Sequence, residues 1–259
     1  MPRFAANLTL LFNEHDFLDR FEQAARASFR GVEFLFPYAF AKEAIHERLV
    51  RHELELVLHN LPAGDWAAGE RGIAVLADRR GEFREGVQRA IDYAGTLGCT
   101  QINCLAGIAP DGVERARLHD TFRENLSHAA GELKKAGIRL LIEPINTRDI
   151  PGFFLTNTRQ AVALIEEINS ENLFVQYDAY HMQIMEGDLA RTIESNLPRI
   201  AHIQLADNPG RHEPGTGEIN YPFLFKHLDA IDYRGWIGCE YRPATTTSNG
   251  LGWFAPYRG

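Results

Sequence analysis

Short apolar runs and longer amphipathic stretches alternate from one end of the chain to the other. Eight of the short runs read as strands: Arg3–Leu10, Gly31–Phe36, Glu55–Leu61, Gln101–Gly107, Ile138–Asn146, Leu173–Asp178, Ile200–Asp207 and Trp236–Arg242. Between them, stretches such as Phe17–Ser28, Arg79–Leu97, Val113–Ala136 and Thr158–Ile168 repeat apolar residues at three- and four-residue spacing, the period of a helix with one buried face. Gly31, Gly98 and Gly137 each stand just before a strand and are expected to end the preceding helix in a left-handed cap. Eight strands, each followed by a helix, with no proline- or glycine-rich linker and no break in composition, predict an α/β protein: a single closed (β/α)8 TIM barrel, one domain over residues 1–259. The rival, an open doubly wound sheet, would carry a glycine-rich turn after its first strand, and Asn7–Leu11 contains no glycine.

Composition agrees and excludes some functions. The chain of 259 residues is 45% hydrophobic, enough for a large core. Lys plus Arg number 27 against 35 for Asp plus Glu, a formal charge of −8, which disfavours a protein built to grip nucleic acid or an anionic membrane. A small anionic substrate is still allowed, because one cation or metal reverses the field inside a pocket. Cys99, Cys104 and Cys239 form no CxxC pair and cannot all pair with one another, which points to a reduced, cytoplasmic setting. The first residues lack the pattern of a secretory signal, and no apolar run approaches the roughly 20 residues that span a bilayer.

In such a barrel the chemistry sits at the C-terminal ends of the strands. Strand five reads RLLIEPIN and brings Glu143 to that end; strand six, LFVQYDAYH, brings Asp178 and then His181; strand seven, IAHIQLAD, brings Gln204; strand eight, WIGCEYR, brings Glu240. Consecutive members of this set lie about one βα unit apart, so closure gathers them on one rim. Three carboxylates crowded at an apolar mouth repel one another unless a cation joins them or one keeps a proton. A divalent metal resolves the conflict. The all-oxygen set of Glu143, Asp178, Gln204 and Glu240 suits Mg²⁺ or Mn²⁺ better than Zn²⁺.

His181 is expected to hang over the site and bind substrate. His202, two residues before Gln204 and on the same face, reads as an interior group behind the ligands. At the end of strand three, His59 and Asn60 compete for the inward position, while His15, His46, His52, His119, His128 and His227 fall on helices or their starts and are expected at the surface. Two long connections on the catalytic side, Leu61–Gly72 and Asn208–Asn220, have the length of lids. The second carries Arg211, which can pair with a substrate carboxylate or, on the plainer reading, with Glu213.

The runs HNLPAGDWAAGERG, EPIN with DIPGFFLTNTRQA, QYDAYHMQ, HIQLADNPGRHEPGTGEINY and GWIGCEY, with the spacing between them, closely resemble the bacterial hydroxypyruvate isomerase family, part of the xylose-isomerase-like TIM barrel superfamily. The resemblance runs essentially the whole length of the chain. It implies interconversion of hydroxypyruvate and tartronate semialdehyde through an enediolate, with Glu143 and Glu240 as the acid/base pair. In the superfamily's sugar epimerases a divalent metal is held by Glu, Asp, His and Glu from strands five to eight. Carried over, this implies Glu143, Asp178, Gln204 and Glu240, with Gln204 standing where the epimerases have His. His181 would act on a substrate oxygen and Arg211 would receive the carboxylate. The implied partner is a small oxo or hydroxy acid of glyoxylate or carbohydrate-acid metabolism, with no nucleic acid or membrane involved and a homo-oligomer allowed.

A 2-oxo-tetronate isomerase and a ketose 3-epimerase are the alternatives within the superfamily. A DNA phosphodiesterase would need several strand-end histidines and a basic face. A non-catalytic binder of sugar acids gives no reason for two facing glutamates.

Overall fold

The computed structural model describes residues 1–258. Strands β1 (Arg3–Asn7), β2 (Gly31–Glu33), β3 (Glu55–Asn60), β4 (Gln101–Cys104), β5 (Arg139–Ile142), β6 (Leu173–Asp178), β7 (Ile200–Leu205) and β8 (Trp236–Cys239) pair in chain order, and β8 pairs with β1 to close a parallel barrel. Around it lie α1 (Arg20–Arg26), α2 (Lys42–Arg51), α3 (Arg80–Leu97), α4 (Arg115–Lys135), α5 (Thr158–Ile168), α6 (Ala179–Met185), α7 (Leu189–Asn196), α8 (Tyr221–Ala230) and α9 (Thr247–Gly250). No helix among the described residues is long and apolar enough to cross a membrane.

Alternation along the strands makes two environments. Outward residues such as Phe4, Val32, Ile102, Leu140, Val175, Ile203 and Ile237 form one continuous core with the inner faces of the helices, among them Phe21, Ile45, Val87, Leu126, Leu164 and Leu228. Ala5, Val57, Leu58 and Leu141 form a small separate apolar cluster. Many strand residues nearer the catalytic end are buried and polar, including Asn7, Glu33, Asn60, Asn103, Gln176, His202 and Gln204. Branched aliphatic layers commonly fill such a barrel. Here much of that space holds a polar network.

Most strands end earlier than the apolar runs suggest, because the chain leaves the sheet to build the rim. After β5 the break falls at Glu143–Pro144, where proline offers no N–H to continue the ladder. The α5 boundaries match the expectation from periodicity: Asn157 caps the start by accepting from the Gln160 N–H, and Asn169 closes the end at φ 52°. Gly98 and Gly137 adopt the left-handed conformation at φ 70° and 72°, as expected of helix caps. Gly31 does not. The left-handed residue after α1 is Ser28, at φ 72°, whereas Gly31 begins β2, and a Cβ there would come within 2.8 Å of the Trp236 ring. Its role is clearance, not capping.

Candidate active site

Glu143, Asp178, His181 and Glu240, all buried, each present a ligand atom within 4.8 Å of the others. The turn after β5 supplies Glu143, whose Oε2 accepts from Asn103 Nδ2 at 2.9 Å. Asp178 is both the last residue of β6 and the N-cap of α6, and its Oδ1 accepts the Tyr180 N–H at 2.8 Å. Its Oδ2 is buried with no hydrogen-bond partner. Glu240, directly after β8, receives Arg211 Nη2 on Oε2 at 2.7 Å and Asn7 Nδ2 on Oε1 at 3.4 Å.

Gln204, buried on β7 and paired in register with Asp178, is engaged elsewhere: its Nε2 donates to Glu33 at 2.7 Å and its Oε1 accepts from Gln176 at 2.6 Å. One lone pair of that oxygen is unaccounted for by this bond.

Arg211 reaches the cluster from the loop after β7. It pairs with Glu240, not Glu213, and its Nη2 lies 3.9 Å from Asp178 while its Nη1 lies 3.6 Å from Asp149. Glu213 instead accepts the Ala244 N–H. The Arg211 backbone sits at φ 55°, a conformation that costs a non-glycine residue about 1–2 kcal/mol. The loop is held there firmly. Asp207 accepts backbone N–H groups from Asn208, Gly215, Gly217 and Ile219 at 2.8–3.0 Å, and Arg242 N–H bonds the Arg211 carbonyl at 2.8 Å. Asn208–Asn220 is thus an anchored arm. The Leu61–Gly72 loop carries Trp66 to the edge of the cavity.

The electrostatics follow from crowding in a dry place. Burial first, then Glu240 and Asp178, hold Glu143 well above the ordinary carboxylate range. Burial pushes Glu240 up to about 8 against the pull of Arg211, and pushes Asp178 up to about 6 against Arg211 and the N–H groups of Tyr180 and His181. Burial draws Arg211 down, but Glu240, Asp178, Glu143 and Asp149 outweigh it and leave the guanidinium above its usual range. Four carboxylates face one guanidinium, so the cluster holds protons or accepts a further cation.

His181 belongs to the cluster by distance, yet its hydrogen bonds give it a different task. Asn146 Oδ1 accepts the Arg148 and Asp149 N–H groups, which fixes the orientation of that amide and turns its Nδ2 toward His181 Nδ1 at 2.6 Å. Nδ1 therefore accepts, and in the neutral ring Nε2 carries the hydrogen. Burial, then Arg211, drives the imidazole well below its ordinary pKa, so the ring is neutral. Its Nε2–H faces Asp178 Oδ2 at 3.5 Å and Glu143 Oε1 at 3.9 Å.

These groups border a cavity of about 180 Å³, walled by Leu10, Leu35, Leu105, Ile145, Ile150 and Trp66, and reached by Thr9, Asn60, Arg211 and Arg242. Asn60 takes the inward position. His59 is buried, held down to about 4 by burial, and touches the Asn60 carbonyl and the Tyr38 hydroxyl through Nδ1. His202 is interior, as expected, 2.7 Å from Glu33.

Strand-end reasoning applied to strands five to eight passed over Glu33, Asn7 and Asn103, although each lies near the C-terminal end of its strand. It also passed over Arg242, which has no ion-pair partner among the described residues. The signal for Glu33 was an acidic residue inside the apolar run GVEFLF.

Residues 21–257 match the xylose isomerase-like TIM barrel family. The chain is 57% identical to hydroxypyruvate isomerase of Escherichia coli strain K12 over 258 residues, covering all of both chains. It is 51% identical over 259 residues to 2-oxo-tetronate isomerase of Cupriavidus necator, again covering all of both. Among solved structures it is similar to AP endonuclease, family 2 from Brucella melitensis, with a TM-score of 0.98, 50% identity and full coverage of both chains.

Proposed function

The chain belongs to the xylose isomerase-like TIM barrel family and is an isomerase, and from that premise we propose that it interconverts hydroxypyruvate and tartronate semialdehyde. The observation that carries this reading is the pair Glu143 and Glu240, buried together with shifted protonation beside a cavity sized for a small molecule. Burial and mutual repulsion disfavour ionising both, so one is the base while the other keeps a proton, as an isomerisation requires. The ionised glutamate removes a proton from the hydroxymethyl carbon; that electron pair forms the carbon–carbon double bond of an enediolate, and negative charge moves onto the former carbonyl oxygen. The hydroxyl proton of the former hydroxymethyl group passes to that charged oxygen, its own oxygen closes to the aldehyde carbonyl, and the double-bond electron pair takes the proton that the protonated glutamate delivers to the former carbonyl carbon. His181 Nε2–H is the donor that stabilises oxygen charge, and a positioned acid or base of this kind contributes about 10²–10⁴-fold in rate.

The residues present fit a divalent cation. The donor set is rich in carboxylates, and the unpartnered Asp178 Oδ2 is a buried acceptor with nothing to accept. In this reading Glu143, Asp178, Gln204 and Glu240 would hold Mg²⁺ or Mn²⁺, and the ion would supply positive charge to the substrate oxygens. His181, with its hydrogen on Nε2, is a substrate donor in the same scheme.

Two guanidiniums line the cavity, which favours an acid over a neutral sugar. Arg211 is shared with Glu240, and Arg242 is free of ion-pair partners among the described residues. We assign both to the substrate carboxylate. The free, buried state of all three cysteines supports a cytoplasmic setting.

The test is ¹H NMR in D₂O with Mn²⁺-loaded then chelated enzyme, comparing hydroxypyruvate with 2-oxo-tetronate. Exchange and conversion of hydroxypyruvate, lost on Glu240→Gln and weakened mainly in KM by Arg242→Gln, are expected. Faster conversion of the four-carbon acid transfers the assignment to 2-oxo-tetronate isomerase, the activity named for the Cupriavidus relative. No exchange with either acid overturns the enediolate mechanism.

A further inference from the structure

We propose that Glu33 is a positioning residue for Glu240, acting through Asn7; the inference rests on reading Glu240 as an acid/base group. Glu33 ends β2 and is fully buried, and it is absent from the cavity wall, so it does not meet substrate. Its side chain reaches across the barrel interior to β7, which is separated from β2 in the closed sheet by β1 and β8. There Oε2 lies 2.7 Å from His202 Nε2, and Oε1 accepts from Gln204 Nε2 at 2.7 Å. The same Oε1 accepts Asn7 Nδ2 at 2.9 Å.

Asn7 makes the link. Its Oδ1 accepts the Thr9 N–H at 3.1 Å, which turns Nδ2 toward the two carboxylates, Glu33 on one side and Glu240 Oε1 on the other. Glu240 is then gripped at both oxygens, by Asn7 on Oε1 and by Arg211 on Oε2. The neighbouring strand is shaped to admit the device: a Cβ at Gly238 on β8 would stand 2.2–2.3 Å from the Glu33 carboxylate oxygens. Apolar filling of this space would serve stability at least as well as a buried carboxylate, so stability alone does not account for Glu33. What the carboxylate adds is a fixed direction for the Asn7 amide, and through it a fixed place for Glu240.

The experiment is a double-mutant cycle of Glu33→Gln and Asn7→Ala, read by kcat and KM on hydroxypyruvate and by crystal structures of the parent and both variants. Each single change is expected to lower kcat by up to about 10²-fold, the scale for misplacing a reacting group by about 1 Å. KM should change less than about threefold, and the double variant should fall no further than the worse single, since both act along one line. The Glu240 carboxylate should leave its parent position in both variant structures.

Unchanged kcat, fully additive losses, or an unmoved Glu240 would overturn the inference. Should Glu33→Gln fail to fold, Asn7→Ala decides by the same two readouts. An inactive parent whose Glu240 still shifts in the variants would remove the isomerase reading and leave the positioning intact. An active parent with unaffected variants does the reverse.

Discussion

One carboxyl group at Asp178 serves two elements: Oδ1 caps α6, and Oδ2 is left unpaired toward Glu143, His181 and Glu240. The ordinary role of an acid at a helix start and its chemical role coexist on different oxygens. The same economy holds at Asn146, whose Oδ1 closes a turn while Nδ2 sets the His181 tautomer. Asn146→Asp keeps the turn acceptor and replaces the donor by a second acceptor. The new carboxylate outweighs the Asn146 backbone N–H, which also points at His181 Nδ1 but from 3.4 Å, so the hydrogen moves to Nδ1 and at pH 8 Nε2 presents a lone pair where the parent presents N–H. The expected result is a kcat loss of roughly tenfold or more, with ¹⁵N NMR showing the proton moved to Nδ1. A variant that keeps hydrogen on Nε2 alone, or keeps full turnover, rules out His181 as the oxygen-polarising donor. Glu143, Asp178 and Glu240 were legible from the sequence because each follows an apolar run at a strand end, and His181 because it follows Asp178 by three residues, a spacing that the first turn of α6 turns back over the site. The tautomer was not, since it depends on Asn146, which lies 35 positions away in the chain.

Strands were legible as elements but not in their lengths. An apolar run such as Gln101–Gly107 continues past Cys104, where β4 stops, because residues of the rim are buried by loops and helices as thoroughly as strand residues are. β2 shows the opposite failure. Within GVEFLF the acidic residue is the last of a three-residue strand, and its partner His202 lies 169 positions away, so no local pattern announces what it meets. β8 supplies the complement by omission, through Gly238. Gly238→Ala brings a methyl group into the space of the Glu33 carboxylate, and overpacking of this kind destabilises by roughly 1–3 kcal/mol. A lower urea midpoint with unchanged slope is expected, accompanied by a kcat loss like that of Glu33→Gln. Retained stability and turnover would mean that the carboxylate has room to move and that β8 imposes no constraint on it.

For the molecule as a whole, most of the −8 lies outside the rim, but the three rim carboxylates tie stability to pH and to metal. In the folded, metal-free protein burial raises Glu143, Asp178 and Glu240 above the ordinary values of 4.5 for Glu and 3.8 for Asp, to about 6 at Asp178 and about 8 at Glu240. Between about pH 4 and pH 8 the folded state therefore binds more protons than the unfolded chain, and these groups make stability fall as pH rises through that window. A divalent cation held by the same oxygens displaces protons and lets Asp178 and one of the two glutamates ionise, while the other glutamate keeps the proton that the isomerisation uses. Its stabilisation should therefore be small at pH 5.5 and larger at pH 8.5, where fewer protons compete. At an Mn²⁺ concentration of 100 times Kd the gain is about 2.7 kcal/mol, or roughly 5–10 °C in Tm for a chain of this size. A chelator should reverse it, and calorimetry at pH 7 in buffers of different ionisation enthalpy should show release of about one proton per ion. Asp178→Asn should abolish the shift. Equal stabilisation at both pH values with no proton released would place the ion elsewhere and leave Arg211 as the guanidinium paired with the rim carboxylates.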